Sequence, residues 1–180
     1  MRRAAVFGRK ERESVHTLIS GQSFSGKSYL AKSLCSKFRK TRNCIVLDPF
    51  LDNWDADYLT QDADDFLRVA KRNRNCCLFI DESGSSIGRG ADAARMHWIA
   101  TQARHWGHRS FFILQRLTQI EPLIRSQCSE FYAFRGSAND AKILADETGD
   151  DAFLRLPELP RYCFVHKKPF EPSKVQKLIG

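Results

Sequence analysis

The sequence predicts an α/β domain: a mainly parallel sheet with helices on both faces. Three observations carry this expectation. Short apolar runs alternate with segments of helical period. Two of the runs, CCLFIDES (76–83) and RSFFILQR (109–116), are nearly unbroken, as strands covered on both faces are. A glycine-spaced turn, GQSFSGKS (21–28), stands between the first strand and the first helix.

The elements follow in order. SVHTLIS (14–20) reads as a short strand. Ser28 to about Arg39 reads as a helix, because Leu30, Leu34 and Phe38 recur at i, i+4 and i+8. NCIVLDPF (43–50) is a strand ended by Asp48-Pro49, and 61–72 is helical. CCLFIDES closes on two acids, and GSSIGRG (84–90) is a loop. ADAARMHWIATQARHWG (91–107) is a helix stopped by Gly107, with Met96, Ile99, Ala103 and Trp106 as its apolar stripe. RSFFILQR, EFYAFRG (130–136) and RYCFVHK (161–167) are strands, with a helix near 138–147. Ligands on such sheets sit at the carboxyl ends of the strands. Gly21, Asp48, Asp81 and Gln115 all fall there.

Length and composition bound the possibilities. A chain of 180 residues holds one well-buried domain over 1–180, with a basic segment at 1–13 and a C-terminal tail at 168–180. The net charge of +8, from 29 Lys and Arg against 21 Asp and Glu, favours an acidic partner such as nucleic acid. No apolar run suits a signal peptide or a membrane span. The six cysteines show no paired metal spacing and sit mostly in apolar runs, as reduced core cysteines of a cytosolic protein do.

The turn satisfies G-x-x-x-x-G-K-[ST] in full: Gly21, Gln22, Ser23, Phe24, Ser25, Gly26, Lys27 and Ser28, followed by Tyr29 in the helix. Two glycines let successive amides turn inward toward one anion, and the helix adds its positive end. These residues are the expected phosphate site of ATP. Lys27 reaches the β- and γ-phosphates, and Ser28 is a Mg²⁺ ligand. Asp81 closes the third strand and can hold the water shell of Mg²⁺. Glu82, one residue on, can orient and deprotonate a water for attack, which favours hydrolysis over transfer. Gln115 ends the next strand, within reach of a γ-phosphate; an ordinary strand-end glutamine is the alternative.

The run FFILQRLTQIEPLIRSQCSEFYAFRG (111–136) resembles the HerA/FtsK superfamily of ring-forming DNA-pumping ATPases. The matching elements are Gln115-Arg116, the segment Ile120-Glu121-Pro122-Leu123-Ile124-Arg125, and the strand from Phe131 to Phe134. ARHWGHRSFFILQ (103–115) is similar to the viral genome-packaging branch and to filamentous-phage assembly ATPases. Together with the two nucleotide motifs, the resemblance covers about 14–136. It implies a three-layer P-loop fold with strand order 5-1-4-3-2, a homo-oligomeric ring, and ATP bound between subunits. It assigns Lys27 and Ser28 to phosphate and Mg²⁺, Asp81 and Glu82 to the metal-binding acid and the catalytic base, and Gln115 to a sensor. Larger relatives carry anchoring or DNA-loading domains for which this chain has no room, so a capsid portal or vertex protein would supply docking. The compartment implied is the host cytoplasm, or the virion itself.

Such rings use an arginine from the neighbouring subunit. Arg104, Arg109, Arg125 and Arg135 are candidates, and Arg104, at the edge of the apolar stripe, is nominated. A solvated helix arginine is the other reading. Arg89, in the glycine-flanked loop, either meets DNA phosphates or sits on an ordinary surface loop. The tracts RRAAVFGRKER and KFRKTR read as solvated surface, and Cys163 with His166 as a packed thiol and a surface imidazole. The function expected is ATP-driven translocation of double-stranded DNA into a viral capsid. The alternatives are a filamentous-phage-type assembly or secretion ATPase, and a P-loop small-molecule kinase.

Overall fold

The apolar runs assemble into a single sheet in the computed structural model of the chain, which describes residues 15–81 and 97–178. The elements are β1 His16–Ser20, α1 Lys27–Arg39, β2 Cys44–Leu47, β3 Tyr58–Thr60, α2 Ala63–Arg72, β4 Cys77–Ile80, β5 Arg109–Leu114, α3 Pro122–Ser126, β6 Cys128–Phe134, α4 Ala138–Thr148, β7 Cys163–Lys167 and β8 Lys174–Lys177. Residues 97–101 are helical, and 3-10 turns cover Ala103–Trp106, Leu117–Gln119 and Asp151–Glu158. Gly107, at φ 79°, ends the first of these turns as expected. The loop 84–90 and the start of the expected 91–107 helix, Met96 included, lie outside the described residues.

The strand order is β3-β2-β4-β5-β1-β6-β7-β8. The five central strands, β6-β1-β5-β4-β2, are all parallel to their neighbours and reproduce the expected 5-1-4-3-2. The edges hold what the sequence pattern hides. β3 is three half-buried residues parallel to β2. β8, exposed along its whole length, pairs antiparallel with β7, so the expected tail at 168–180 contains an edge strand. The segment 120–126 contains a short helix, because Pro122 sits at its first turn, where a missing N–H costs nothing.

Two cores flank the sheet. On one face Ile19, Val46, Phe79, Phe111, Ile113 and Phe134 meet α1 and Trp54. Phe79 and Phe111 stack with centroids 4.3 Å apart. The fully buried row of α1 is Lys27, Ala31 and Cys35, while Leu30, Leu34 and Phe38 are only partly buried beside it. Small residues let the helix lie close on the sheet, and the larger ones fill its flanks. The opposite face packs Leu18, Leu78, Ile80, Phe112 and Ala133 against α2, the 99–103 segment, α4 and Phe153. The cysteines are free, and all but the half-buried Cys163 are in the core.

Two carboxylates hold the loops around this frame. Asp48, buried at the end of β2, accepts hydrogen bonds from Phe50 N (2.9 Å), Asp52 N (2.8 Å) and Trp54 Nε1 (3.0 Å), which folds the 49–54 loop under α1. Asp150 caps the Asp151–Glu158 turn and accepts from Lys167 Nζ of β7 (2.9 Å) and Ser173 Oγ (2.7 Å), tying down the C-terminal hairpin. The hydrogen bonds from Lys167 and Ser173 hold its carboxyl down at about 2.

Asp48→Ala leaves the buried Trp54 indole N–H and the loop amides of Phe50 and Asp52 without this acceptor. We expect a loss of about 3 kcal/mol of unfolding free energy, read by urea titration. Asp150 has a folded value below its ordinary 3.8. Its contribution is therefore complete above pH 3.8 and disappears as the pH falls to about 2. Asp150→Asn should lower stability at pH 7 and flatten its fall between those two values, measured by thermal unfolding against pH. An unchanged acid profile would show that the tether does not stabilise the fold.

Candidate nucleotide-binding site

The turn between β1 and α1 takes its shape from three positive-φ residues: Gly21 (146°), Phe24 (61°) and Gly26 (110°). Gln22 N donates to Arg135 O at the end of β6 (2.9 Å), and Ser25 N donates to Gln22 O (3.3 Å). Lys27, the first residue of α1, is buried, and its Nζ donates to Gln22 O (3.0 Å). The helix start has no side-chain cap and no acid in its first turn. Its positive end is thus offered to an external anion. Ser25 Oγ is buried in the turn with no hydrogen-bond partner among the described residues.

Gly21 is required by the strand behind it, and Gly26 by its positive φ. A Cβ on Gly21 would come within 2.6 Å of Phe134 Cβ. A Cβ on Gly26 would come within 2.5 Å of Leu178 Cδ1 and 3.2 Å of Tyr162 Cδ1. The turn is therefore backed by β6 and by the C-terminal hairpin.

In front of it a cavity of about 390 Å³ is lined by Ser23, Phe24, Gly26, Lys27, Ser28, Tyr29, Gln115, Arg161 and Tyr162. A second, of about 270 Å³, lies between Gln22, Ser23, Gln115, Arg116, Ser137 and Asp140. Gln115 and Ser23 stand on both walls. Asp81 is buried at the carboxyl end of β4, and its N–H donates to Leu47 O (2.9 Å). The residues fit a nucleoside triphosphate with its metal. The glycine turn, a lysine and an uncapped helix start border one cavity. Ser28 and Asp81 could supply the hard oxygen ligands that Mg²⁺ takes alongside phosphate. Among the described residues no cluster of His, Cys, Asp or Glu forms a separate metal cage.

The structure thus brings together Gly21 to Tyr29 and Gln115, with Asp81 on the same edge of the sheet. Glu82 and Arg89 lie outside the described residues. Of the arginine candidates, two are structural. Arg125 is buried, donates to Leu117 O (2.9 Å) and Ile120 O (3.0 Å), and pairs with Glu147 (2.7 Å). Arg109 pairs with the buried Glu130 and lies over the Phe38 ring. Arg135 is exposed at the end of β6, next to the turn it anchors through its carbonyl. Arg104 is exposed at the opposite end of the sheet, where burial and then its charge push buried His16 down to about 4.

His166 is not a surface imidazole: its side chain is 11% exposed, hydrogen-bonds Glu130 (3.0 Å) and stacks on Tyr132. Burial alone would raise the Glu130 carboxyl. The His166 hydrogen bond, the Arg109 charge and Thr17 outweigh it and hold the group below its ordinary value. KFRKTR is partly engaged rather than simply solvated, since Arg39 pairs with Asp55 and Asp57 and Arg42 donates to Gly107 O. Sequence reasoning missed Arg161 and Tyr162, which it assigned to a strand; they form a turn, and Tyr162 has φ 65°. Pro160 before them is the one local signal of that turn.

No family model matches the sequence, and no curated protein sequence does. Solved structures do match in shape. The genome packaging NTPase B204 of Sulfolobus turreted icosahedral virus 2, in complex with AMPPCP, has a TM-score of 0.75 at 17% identity, over 92% of this chain and 98% of that one. The DNA-packaging ATPase B204 of Sulfolobus turreted icosahedral virus has a TM-score of 0.74 at 19% identity, over 93% and 98%. The cytoplasmic domain of the Type VII secretion ATPase EccC of Thermomonospora curvata has a TM-score of 0.69 at 15% identity, over 90% of this chain and 25% of that one. The fold is that of the P-loop NTPases, which these neighbours share.

Proposed function

We propose that the chain is the ATP-hydrolysing subunit of a homo-oligomeric ring motor that moves double-stranded DNA, packaging a viral genome into its capsid. The observation that carries this is the convergence of the glycine turn, Lys27, Ser28 and Gln115 on one cavity. The charge of +8 suits a polyphosphate track, and the fold shared with two genome-packaging NTPases supports the same reading.

In this mechanism the turn amides and Lys27 hold the β- and γ-phosphates of ATP. Ser28, and Asp81 through water, would hold Mg²⁺, which would supply positive charge to the phosphates. Glu82 takes a proton from the attacking water. The water oxygen bonds to the γ-phosphorus, the bond to the β–γ bridging oxygen breaks, and ADP leaves with the electron pair. Gln115 contacts the γ-phosphate and reports its loss. It continues directly into Arg116 and Leu117, and Leu117 N is fastened to Asp140 Oδ1 of α4 (2.9 Å). Arg125 clamps the far end of that segment to Glu147. A displacement of Gln115 would therefore be passed to α4. No helix among the described residues is long and apolar enough to cross a membrane, which suits action in the host cytoplasm or on a virion, docked to a portal or vertex protein. The likeness to a secretion ATPase supports a second reading, export of a protein or a coated DNA.

ATP hydrolysis with and without double-stranded DNA, across protein concentrations, separates the two. A motor on DNA is stimulated by it and gains specific activity with assembly. Lys27→Ala should lose turnover by about two orders of magnitude or more while its circular dichroism stays native. Glu82→Gln should bind ATP and trap it. Normal turnover in either variant removes that residue's role.

A shared site makes a further demand. Lys27→Ala and Arg104→Ala should each be nearly inactive, yet mixed one to one they should regain activity. About a quarter of the interfaces then pair an intact lysine with an intact arginine. If Arg104→Ala is active alone, Arg135 is next to be tested, ahead of the structurally committed Arg125 and Arg109.

A further inference from the structure

The cavity that holds Lys27 and Ser28 does not end at the phosphate-binding residues. It is also lined by Tyr29, Arg161 and Tyr162, and its volume of about 390 Å³ suits a whole small ligand rather than an anion alone. Tyr29 and Tyr162 are 56% and 40% exposed. The Arg161 guanidinium lies over the Tyr162 ring, 4.6 Å from its centroid, and its Nε donates to Phe24 O of the glycine turn (3.3 Å). Tyr162 is held at φ 65°, a left-handed conformation that non-glycine residues rarely adopt. The hydrogen bonds of Leu178 N to Tyr162 O (2.9 Å) and Cys163 N to Pro160 O (3.1 Å) keep it there. A planar cation and a ring are thus fastened to the phosphate-binding turn, on the cavity side.

We infer that Arg161 and Tyr162 form the nucleobase shelf of this site, with Tyr29 lining the same cavity. The ligand is a nucleoside triphosphate, and the inference rests on the phosphate-binding role of the glycine turn. A base has an apolar π-face that stacks on an aromatic ring or a guanidinium plane, and such stacking accepts any base. The competing role is mechanical: Tyr162 lies close against Gly26 and braces the turn. The two roles differ in what they do to a ligand without a base.

The test is calorimetric titration of the full chain, with Mg²⁺, by ATP and by inorganic triphosphate. The variants are Arg161→Ala, Tyr162→Phe and Tyr162→Asn, the last chosen because asparagine tolerates positive φ. A thermal melt shows that each is folded. We expect Tyr162→Asn and Arg161→Ala to weaken ATP about tenfold and leave triphosphate unchanged, with Tyr162→Phe close to the unaltered protein. The shelf is overturned if both probes weaken together, which is the brace, or if neither weakens. It is also overturned if Tyr162→Phe loses as much as Tyr162→Asn, because the hydroxyl and not the ring would then be the contact. Failure of the underlying reading looks different: the unaltered protein would bind neither probe, or Lys27→Ala would bind both.

Discussion

The site depends on one steric constraint, the contact of the glycine turn with the strand and hairpin behind it. Gly21 passes so near Phe134 that no side chain fits between them, and Gln22 is bonded to the next backbone carbonyl, that of Arg135. Gly26 lies close against Tyr162 and Leu178. With both ends of the turn pinned, the chain between them bulges forward and Phe24 takes a left-handed conformation. Lys27 enters the helix with its stem buried and its amine on the loop. The eight-residue motif supplies the permissive residues, but its path is set by β6, β7 and the chain's last described strand.

That dependence explains what could and could not be read from the sequence. The central strands were legible because β4 and β5 are covered on both faces, so burial writes itself as consecutive apolar letters. The phosphate turn was legible because its glycines answer a local requirement for positive φ. β8 was not: every residue of KVQK is exposed, and its only reason to be a strand is pairing with β7. The Leu30, Leu34 and Phe38 row that marks α1 in the sequence flanks the buried face rather than forming it. The sheet prefers Ala31 and Cys35 beneath the helix. The roles of Arg125 and Arg161 rest on partners far along the chain, Glu147 for one and Phe24 for the other, and composition carries no trace of either.

A buried polar cluster marks the seam where the sheet changes from parallel to antiparallel. Arg109 of β5, Thr17 of β1, Glu130 of β6 and His166 of β7 come from four successive strands and meet on the α1 face at one carboxylate. Hydrophobic residues of the same volume would hold the sheet as well, because desolvating such ions offsets most of their attraction. Their effect is on register. A slip of one residue in β5, β6 or β7 would turn its member to the other face and leave a charge buried without a partner. The cluster thus fixes β6 against β1, and through that contact it fixes Phe134 behind Gly21.

The same frame decides what Arg104 can do. Its carbonyl and that of Ala103 close the turn that leads into β5, and its charge acts on His16, the first residue of β1. The phosphate turn begins after Ser20, the last residue of β1. Four steps along a strand separate the two ends by about 13 Å. An arginine side chain anchored at the amino-terminal edge therefore cannot reach the phosphate site of its own chain across the body of the sheet. Arg104 has two remaining roles: a surface charge that adds to burial in lowering His16, or a residue delivered to the carboxyl-terminal edge of another copy. The second requires a head-to-tail contact between unlike edges of the sheet, and a contact of that kind closes only as a ring or continues as a filament. Any catalytic use of Arg104 is then a property of the assembly and cannot be present in the isolated chain.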